Sequence, residues 1–167
     1  MMIRAEFTRT MSKYNKWQNN SLYSAANSLS DTDRKLDRGA FFGSIHETLC
    51  HLLWGDMIWM NRFAGTEMPP VGSIADSKAM FQDWDELWSI RTAFDETIIE
   101  WSKDLDDAFM DGLLTWHSGA LGRDVTKPVS MLITHMFNHQ THHRGQVHAM
   151  LTQAGAKPED TDLFAMA

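Results

Sequence analysis

Residues 129–155, VSMLITHMFNHQTHHRGQVHAMLTQAG, follow Pro128 and end at a glycine. Proline suits the first turn of a helix and glycine suits its C-terminal cap, so these flanking residues predict one long helix. At about 100° per residue, positions 132, 136, 139, 143, 146, 147 and 150 share one stripe, which is the expected core face. His139 and His143 lie in the middle of this stripe. The segment therefore predicts a helix that directs imidazoles toward the protein interior.

Three earlier segments also have the spacing of amphipathic helices. The first covers roughly residues 4–29. The second begins at Ser44, which is expected to form an S-x-x-E capping box with Glu47, and should end near residue 63. The third, roughly residues 80–105, alternates apolar spacings of three and four. Four long helices in one chain predict an all-α protein, most simply a four-helix bundle.

The segment DGLLTWHSGALGRDVTKP, residues 111–128, loses the helical period. It predicts a short extended excursion or loose hairpin around Ser118 and Gly119, before the last helix. A length of 167 residues, with no repeat or linker, fits a single domain spanning residues 1–167.

Composition excludes several classes of partner. Fifteen Lys and Arg against 22 Asp and Glu give a formal net charge of −7, which disfavours nucleic acid and anionic membrane surfaces. Charges interrupt the N-terminal residues before any long apolar run, so neither a secretory signal nor a membrane span is expected, and we predict a cytoplasmic protein. Cys50 is the only cysteine, which excludes an intrachain disulfide and a thiolate metal cage.

Residues 135–148 contain five of the eight histidines in the chain. His139 and His143 are one helical turn apart, about 5–6 Å between Cβ atoms, so both imidazoles can reach one metal ion. His135 extends the row, His142 lies at its edge, and His148 points to the opposite side. A single buried histidine is usually a structural hydrogen-bonding residue, but each unmatched imidazole group in a row costs about 1–3 kcal/mol. The row therefore favours a metal site.

A third ligand is expected from the second helix, which offers His46 and His51. Five residues separate them, so they lie about 140° apart around the helix and cannot both face the interior. His51 lies at the edge of the core face and is the better candidate, whereas His46 is expected to be exposed.

Other polar residues near the core faces have both functional and structural interpretations. Asp56 could orient a ligand histidine or act as a general base, and its structural alternative is a salt bridge with Arg91. Arg91 could bind a substrate carboxylate, but pairing with an interior acid is favoured because an unpaired buried charge is costly. Gln146, next to the histidine row, could support the site or bond the backbone. Arg144 is expected to point away from the core, and Cys50 to be a small buried or dimer-facing side chain rather than a nucleophile.

Two blocks, GSIHETLCHLLWGDMIWMNRF and HMFNHQTHHRGQVHAMLTQAG, resemble the DinB family of DinB/YfiT-like metalloenzymes. The resemblance spans nearly the whole chain and implies an up-down-down-up four-helix bundle that forms a homodimer. By motif it implies that His51 in TLCHLL, His139 in FNHQT and His143 in HHRGQ bind a divalent metal. His135 and His142 remain candidates for a replacement or fourth ligand. Family members include transferases and isomerases that use low-molecular-weight thiols.

Three histidines with one open position are typical of catalytic rather than structural zinc sites. Such a site suits hydrolysis or thiol transfer to a small-molecule substrate, with a low-molecular-weight thiol as one candidate. Zinc and nickel both accept neutral nitrogen ligands. An H-E-x-x-H protease is excluded because Gln140 and Met136 stand where its glutamate is needed. The alternative is a non-catalytic metal-binding or sensing bundle that self-associates.

Overall fold

The computed structural model describes residues 2–119 and 121–166. The chain is mostly helical and has one small sheet. In chain order the elements are α1 (Ala5–Asn27), α2 (Asp31–Lys35), α3 (Ile45–Ala64), α4 (Ile74–Ser77), α5 (Trp84–Lys103), α6 (Asp107–Met110), β1 (Leu113–Ser118), β2 (Arg123–Pro128), α7 (Val129–Gln153) and a 3-10 turn at Leu163–Ala165. Within the described residues, no helix combines the length and apolarity that a membrane span requires.

Each of the four segments predicted to be helical contains one long helix. The strict all-α prediction is wrong, because residues 113–128 form a two-stranded antiparallel sheet in which Leu113 pairs with Pro128 and Ser118 with Arg123. The strands turn near Gly122, whose φ of +61° lies in the left-handed region that favours glycine. This hairpin occupies the position predicted for the extended excursion.

The start of α3 follows the predicted cap only in part. The Ser44 hydroxyl accepts the backbone N–H of Glu47 at 3.1 Å, as expected of an N-cap residue. The Glu47 carboxylate does not return to the Ser44 backbone, since that N–H donates to the carbonyl of Phe42 at 3.1 Å. Instead the carboxylate accepts the Ser44 hydroxyl proton at 3.1 Å.

The long helices pack so that α1 and α3 each contact both α5 and α7. Their interior holds two apolar clusters. One contains the N-terminal half of α3 and the C-terminal end of α7, and the other contains Trp59, Phe63, Ile133 and Met136. In each of the four long helices, buried polar residues separate the part that packs in one cluster from the part that packs in the other. These residues are Ser12, Asn15, Asn19, Asp56, Arg91, Asp95, Gln140 and Arg144. We call this set the polar layer.

The polar layer changes the interpretation of α1. The helical spacing of residues 4–29 places Phe7, Met11, Tyr14, Leu22 and Leu29 close to one face. Of these, Leu22 is buried but Phe7, Met11 and Tyr14 are only half-buried, while Ser12 and Asn15 are fully buried. This face is polar because α5 places charged side chains opposite it, and the Asn19 amide donates to Asp95 at 2.9 Å. In the N-terminal half of α1 the apolar residues therefore lie beside the buried face, whereas Leu22 in the C-terminal half is in the core.

Arg91 is the centre of the polar layer. Its guanidinium lies 2.6 Å from Asp56 and 2.7 Å from Asp95, and all three side chains are almost fully buried. The Gln140 amide donates to the second oxygen of Asp56 at 2.7 Å. The predicted Arg91–Asp56 ion pair is thus present, and a second carboxylate completes it. Because each of the charges on Arg91, Asp56 and Asp95 has an opposite charge in contact, these three side chains avoid the large penalty of an unpaired buried ion.

Candidate metal centre

Three imidazoles from two helices converge where α3 packs against α7. One ring nitrogen from each of His51, His139 and His143 lies within 4.8 Å of the others. The Nε2 atoms of His51 and His139 are 3.1 Å apart. Ligand atoms on a tetrahedral ion with bonds of about 2.0–2.1 Å stand about 3.3–3.4 Å apart, so small movements would bring these nitrogens onto one ion. The donor set fits a divalent metal, and the structure brings together the three residues named from the sequence.

Gly55 allows His139 to lie between the two helices. A Cβ atom at this position of α3 would stand 3.0 Å from Cε1 and 3.4 Å from Nδ1 of the His139 ring. Contacts of this length are tighter than nine in ten real Cβ contacts, so the imidazole ring would have to move by a few tenths of an ångström. The close approach of the imidazole explains why a glycine stands at this position.

Ser77, in the short helix α4, orients His51. Its hydroxyl donates to the carbonyl of Ile74 at 2.6 Å, so it accepts the Nδ1–H of His51 at 2.8 Å. This hydrogen bond keeps the proton of His51 on Nδ1, so that the lone pair of Nε2 faces His139. Metal-binding histidines are usually oriented by such a hydrogen bond from their second ring nitrogen. Sequence reasoning missed Ser77, because nothing local connects a serine to a histidine 26 residues away.

Gln146 makes the corresponding contact to His143. Its side-chain oxygen accepts the Nδ1–H of His143 at 2.8 Å, and its amide nitrogen lies 3.3 Å from Nε2 of His142. Of the two roles considered for Gln146, support of the site is the one that its contacts favour.

Aromatic rings shelter the centre and keep its imidazoles neutral. Phe42 stacks on His51 with ring centres 3.9 Å apart, and Trp54 stacks on it at 5.7 Å. Burial, followed by the neighbouring His143, lowers the pKa of His51 to about 4. The same two causes lower the pKa of His139 to about 3, and burial lowers the pKa of His143. At neutral pH the three rings therefore retain the lone pairs that a metal needs.

His135 and His142 lie outside the converging group, although both border it. The exposed His135 packs edge-on against Trp59, with ring centres 5.2 Å apart, and its ring centre is 6.1 Å from that of His139. His142 is exposed, with its ring centre 4.8 Å from that of His143. Neither side chain turns into the site in this structure.

His46 was expected to be exposed, and this prediction is wrong: the residue is 2% exposed. Its Nε2 donates to the carbonyl of Phe81 at 2.8 Å. Residues 65–83, between α3 and α5, cross this side of α3 and cover it, which helical geometry alone cannot show. Cys50 is buried under the same segment with its thiol 3.3 Å from the Phe81 carbonyl, and burial raises its pKa to about 12. Such a thiol is a poor nucleophile.

Arg144 was expected to point away from the core, and this prediction is also wrong, since only 6% of the residue is exposed. Helix α1 packs over this side of α7, so the guanidinium lies 5.7 Å from the ring centre of Tyr14.

Asp56 is bound to Arg91 through one carboxylate oxygen and to Gln140 through the other. The ion pair, rather than contact with a ligand histidine, is the role that the geometry shows for this residue.

Comparison with known proteins places these residues in a family context. Residues 2–167 match the model of the DinB family. "Protein DinB" of Bacillus subtilis (strain 168) is 25% identical over 161 residues, which cover 95% of this chain and 92% of that protein. A crystal structure of a DinB-like protein from Bacillus cereus ATCC 10987 superposes with a TM-score of 0.69 over 96% of this chain and 99% of that one. At 16% identity, this likeness shows the fold alone.

Proposed function

The chain belongs to the DinB family, and we propose that it is a divalent-metal-dependent enzyme whose open three-histidine site carries out thiol S-transfer or hydrolysis. The observation that carries this proposal is the convergence of His51, His139 and His143 within 4.8 Å. Among the residues that the structure describes, no other histidine, cysteine or carboxylate joins this group. An incomplete set of protein ligands is the arrangement that catalytic zinc sites use.

His51, His139 and His143 would hold the metal through neutral imidazole nitrogens, a donor set that suits zinc and nickel equally. When bound, such an ion supplies Lewis acidity, which makes a thiol or a water molecule nucleophilic near neutral pH.

The surrounding side chains prepare the ligands. Ser77 and Gln146 each accept an Nδ1 proton, so that the opposite nitrogen of His51 and of His143 is available to the metal. Phe42 and Trp54 both stack on the His51 ring and reduce its contact with water. His135 and His142 remain at the border, where either could close the fourth position by rotating inward. If the site were closed in this way, the protein would be a non-catalytic metal-binding protein, as in the alternative hypothesis.

Family membership also supports finer proposals. We propose that the four long helices form an up-down-down-up bundle, that two chains form a homodimer, and that the protein acts in the cytoplasm on a small molecule. A low-molecular-weight thiol is the co-substrate that we favour, since the resemblance that identified the ligands includes thiol-dependent enzymes.

A metal-loaded activity screen tests this function. Protein reconstituted with zinc or nickel is incubated with glutathione, bacillithiol or mycothiol and an electrophile, with ester and amide hydrolysis run alongside. We expect turnover in at least one arm, lost in His139→Ala and retained in His148→Ala, which changes an equivalent side chain outside the site. Full metal binding with no turnover in any arm would instead support the non-catalytic alternative.

A further inference from the structure

A groove of about 360 Å³ lies between α1, α7 and the C-terminal segment. Its lining comprises Tyr14, Gln18, Leu22, Thr141, Arg144, Gly145, His148, Ala149 and Thr161. None of the three converging histidines lines it. Positions 141, 145 and 148 lie on the side of α7 opposite His143, since successive residues turn by about 100°. The groove is therefore separate from the metal centre.

The C-terminal wall of the groove is held in place by hydrogen bonds from α1. The Tyr14 hydroxyl donates to the carbonyl of Thr161 at 2.6 Å, and the Gln18 amide donates to the carbonyl of Asp160 at 3.0 Å. The Trp17 indole also donates to Glu159 at 2.8 Å. These bonds give the groove a defined shape before any ligand enters.

Arg144 is the unusual residue of this groove. It is 94% buried, yet the structure gives it no carboxylate within ion-pair distance among the described residues, in contrast to Arg91 with its two carboxylate contacts. Its Nη2 has a long 3.5 Å contact to the Thr141 hydroxyl, and its enclosed Nη1 has no hydrogen-bond partner in the described part of the chain. Charged groups are seldom buried in this way unless something pairs with them.

The polar layer balances part of the Arg144 charge from a distance. Burial lowers the pKa of Arg144 to about 10, while Asp56 and Asp95 act in the opposite direction. An arginine side chain is not deprotonated in proteins at neutral pH, so the guanidinium is cationic. Asp56 is already bound to Arg91 and Gln140, and Asp95 to Arg91 and Asn19. The guanidinium of Arg144 therefore carries one positive charge without a carboxylate in contact, and a ligand with one negative charge matches it better than a phosphate dianion.

We propose that this groove is a second ligand site, which binds a small molecule with a single carboxylate on an apolar body. The planar guanidinium offers paired N–H donors to the two carboxylate oxygens. Tyr14, Leu22 and Ala149 provide the apolar walls against which a short chain or ring packs.

Gly145 supplies a way to fill the groove. No heavy atom lies within 4 Å of the place where a Cβ would stand at this position, so a larger side chain fits without strain. Gly145→Met should fold well, because methionine is a better helix former than glycine. Its side chain would occupy the space that we assign to the ligand.

The experiment is an NMR titration of the ¹⁵N-labelled protein with phenylacetate, compared with 2-phenylethanol, which has the same ring and no charge. We expect phenylacetate to shift the amide signals of Thr141, Gly145 and Ala149, and the alcohol to bind at least about tenfold more weakly, as loss of a charge-assisted hydrogen bond implies. Arg144→Met should weaken phenylacetate binding by a similar factor, and Gly145→Met should abolish it. Arg123→Met, at an exposed arginine of the hairpin, should change nothing.

Three results would overturn the proposal. One is the absence of shifts at the groove. Another is unchanged binding in Gly145→Met, which remains informative even if Arg144→Met does not fold. The third is a set of shifts centred on His135 and His142 that disappears when the metal is chelated, because the carboxylate would then be bound to the metal.

Discussion

Replacing Ser77 with alanine should weaken metal binding without touching a proposed ligand. The Ser77 hydroxyl is fully buried and is the acceptor for the Nδ1–H of His51 at 2.8 Å. Without it the ring can rotate or change tautomer, so that Nε2 is no longer presented to the metal. Loss of such a hydrogen bond to a ligand histidine typically lowers metal affinity by about 10–100-fold, or about 1.4–2.7 kcal/mol.

Competition with a chromophoric zinc chelator at neutral pH measures this affinity. Ser77→Thr keeps the hydroxyl and should stay close to wild type. Ser73→Ala is the matched control, because Ser73 caps the same short helix through the backbone N–H of Asp76 at 3.1 Å but does not contact His51. Equal affinity of Ser77→Ala and wild type, or an equal loss in Ser73→Ala, would refute a role for Ser77 in orienting the ligand.

Three further predictions concern the packing and charge of the interior. Gly55→Ala should lower zinc affinity about tenfold, since its Cβ would stand 3.0 Å from the His139 ring, and an unchanged chelator titration would contradict this. Arg91→Met should cost about 3–5 kcal/mol in the free energy of unfolding, because it leaves two buried carboxylates unpaired, whereas Lys103→Met at an exposed pair should cost less than about 1 kcal/mol in the same urea denaturation. The metal-free protein should lose stability as pH falls below about 6.5. The pKa values of His51 and His139 are lowered to about 4 and about 3 in the folded state, so the unfolded state binds more protons. Urea midpoints that do not fall between pH 7 and pH 5, or an equal fall in His139→Gln, would count against these shifts.

Features that depend on local spacing could be predicted from the sequence. The four long helices and the stripe of α7 follow from the helical period, and the Ser44 cap from a four-residue pattern. His139 and His143 share a face because they are four residues apart. His51 was selected because it lies at the edge of the core face of the second helix, and the family resemblance names the same residue.

Features that depend on contacts between distant segments could not be predicted in this way. His46 is buried because residues 65–83 cover it, and Arg144 is buried because α1 covers it. The helical periodicity of α3 and α7 gives no information about these contacts. Ser77 reaches His51 only after α4 docks on α3. Much of the buried face of α1 is polar because Arg91 and Asp95 lie opposite it, so the apolar spacing located the buried face at Leu22 but not at Ser12 and Asn15.

X-ray absorption spectroscopy of the zinc-loaded protein, with metal analysis of the same sample, tests the central claim most directly. We expect one ion per chain, with three imidazole nitrogens at about 2.0–2.1 Å and one further light scatterer. His139→Ala and His143→Ala should each lose most of the metal, and His148→Ala should keep it. Full zinc occupancy in His139→Ala, or a wild-type spectrum without imidazole scattering, would contradict the assignment of these histidines as the ligands.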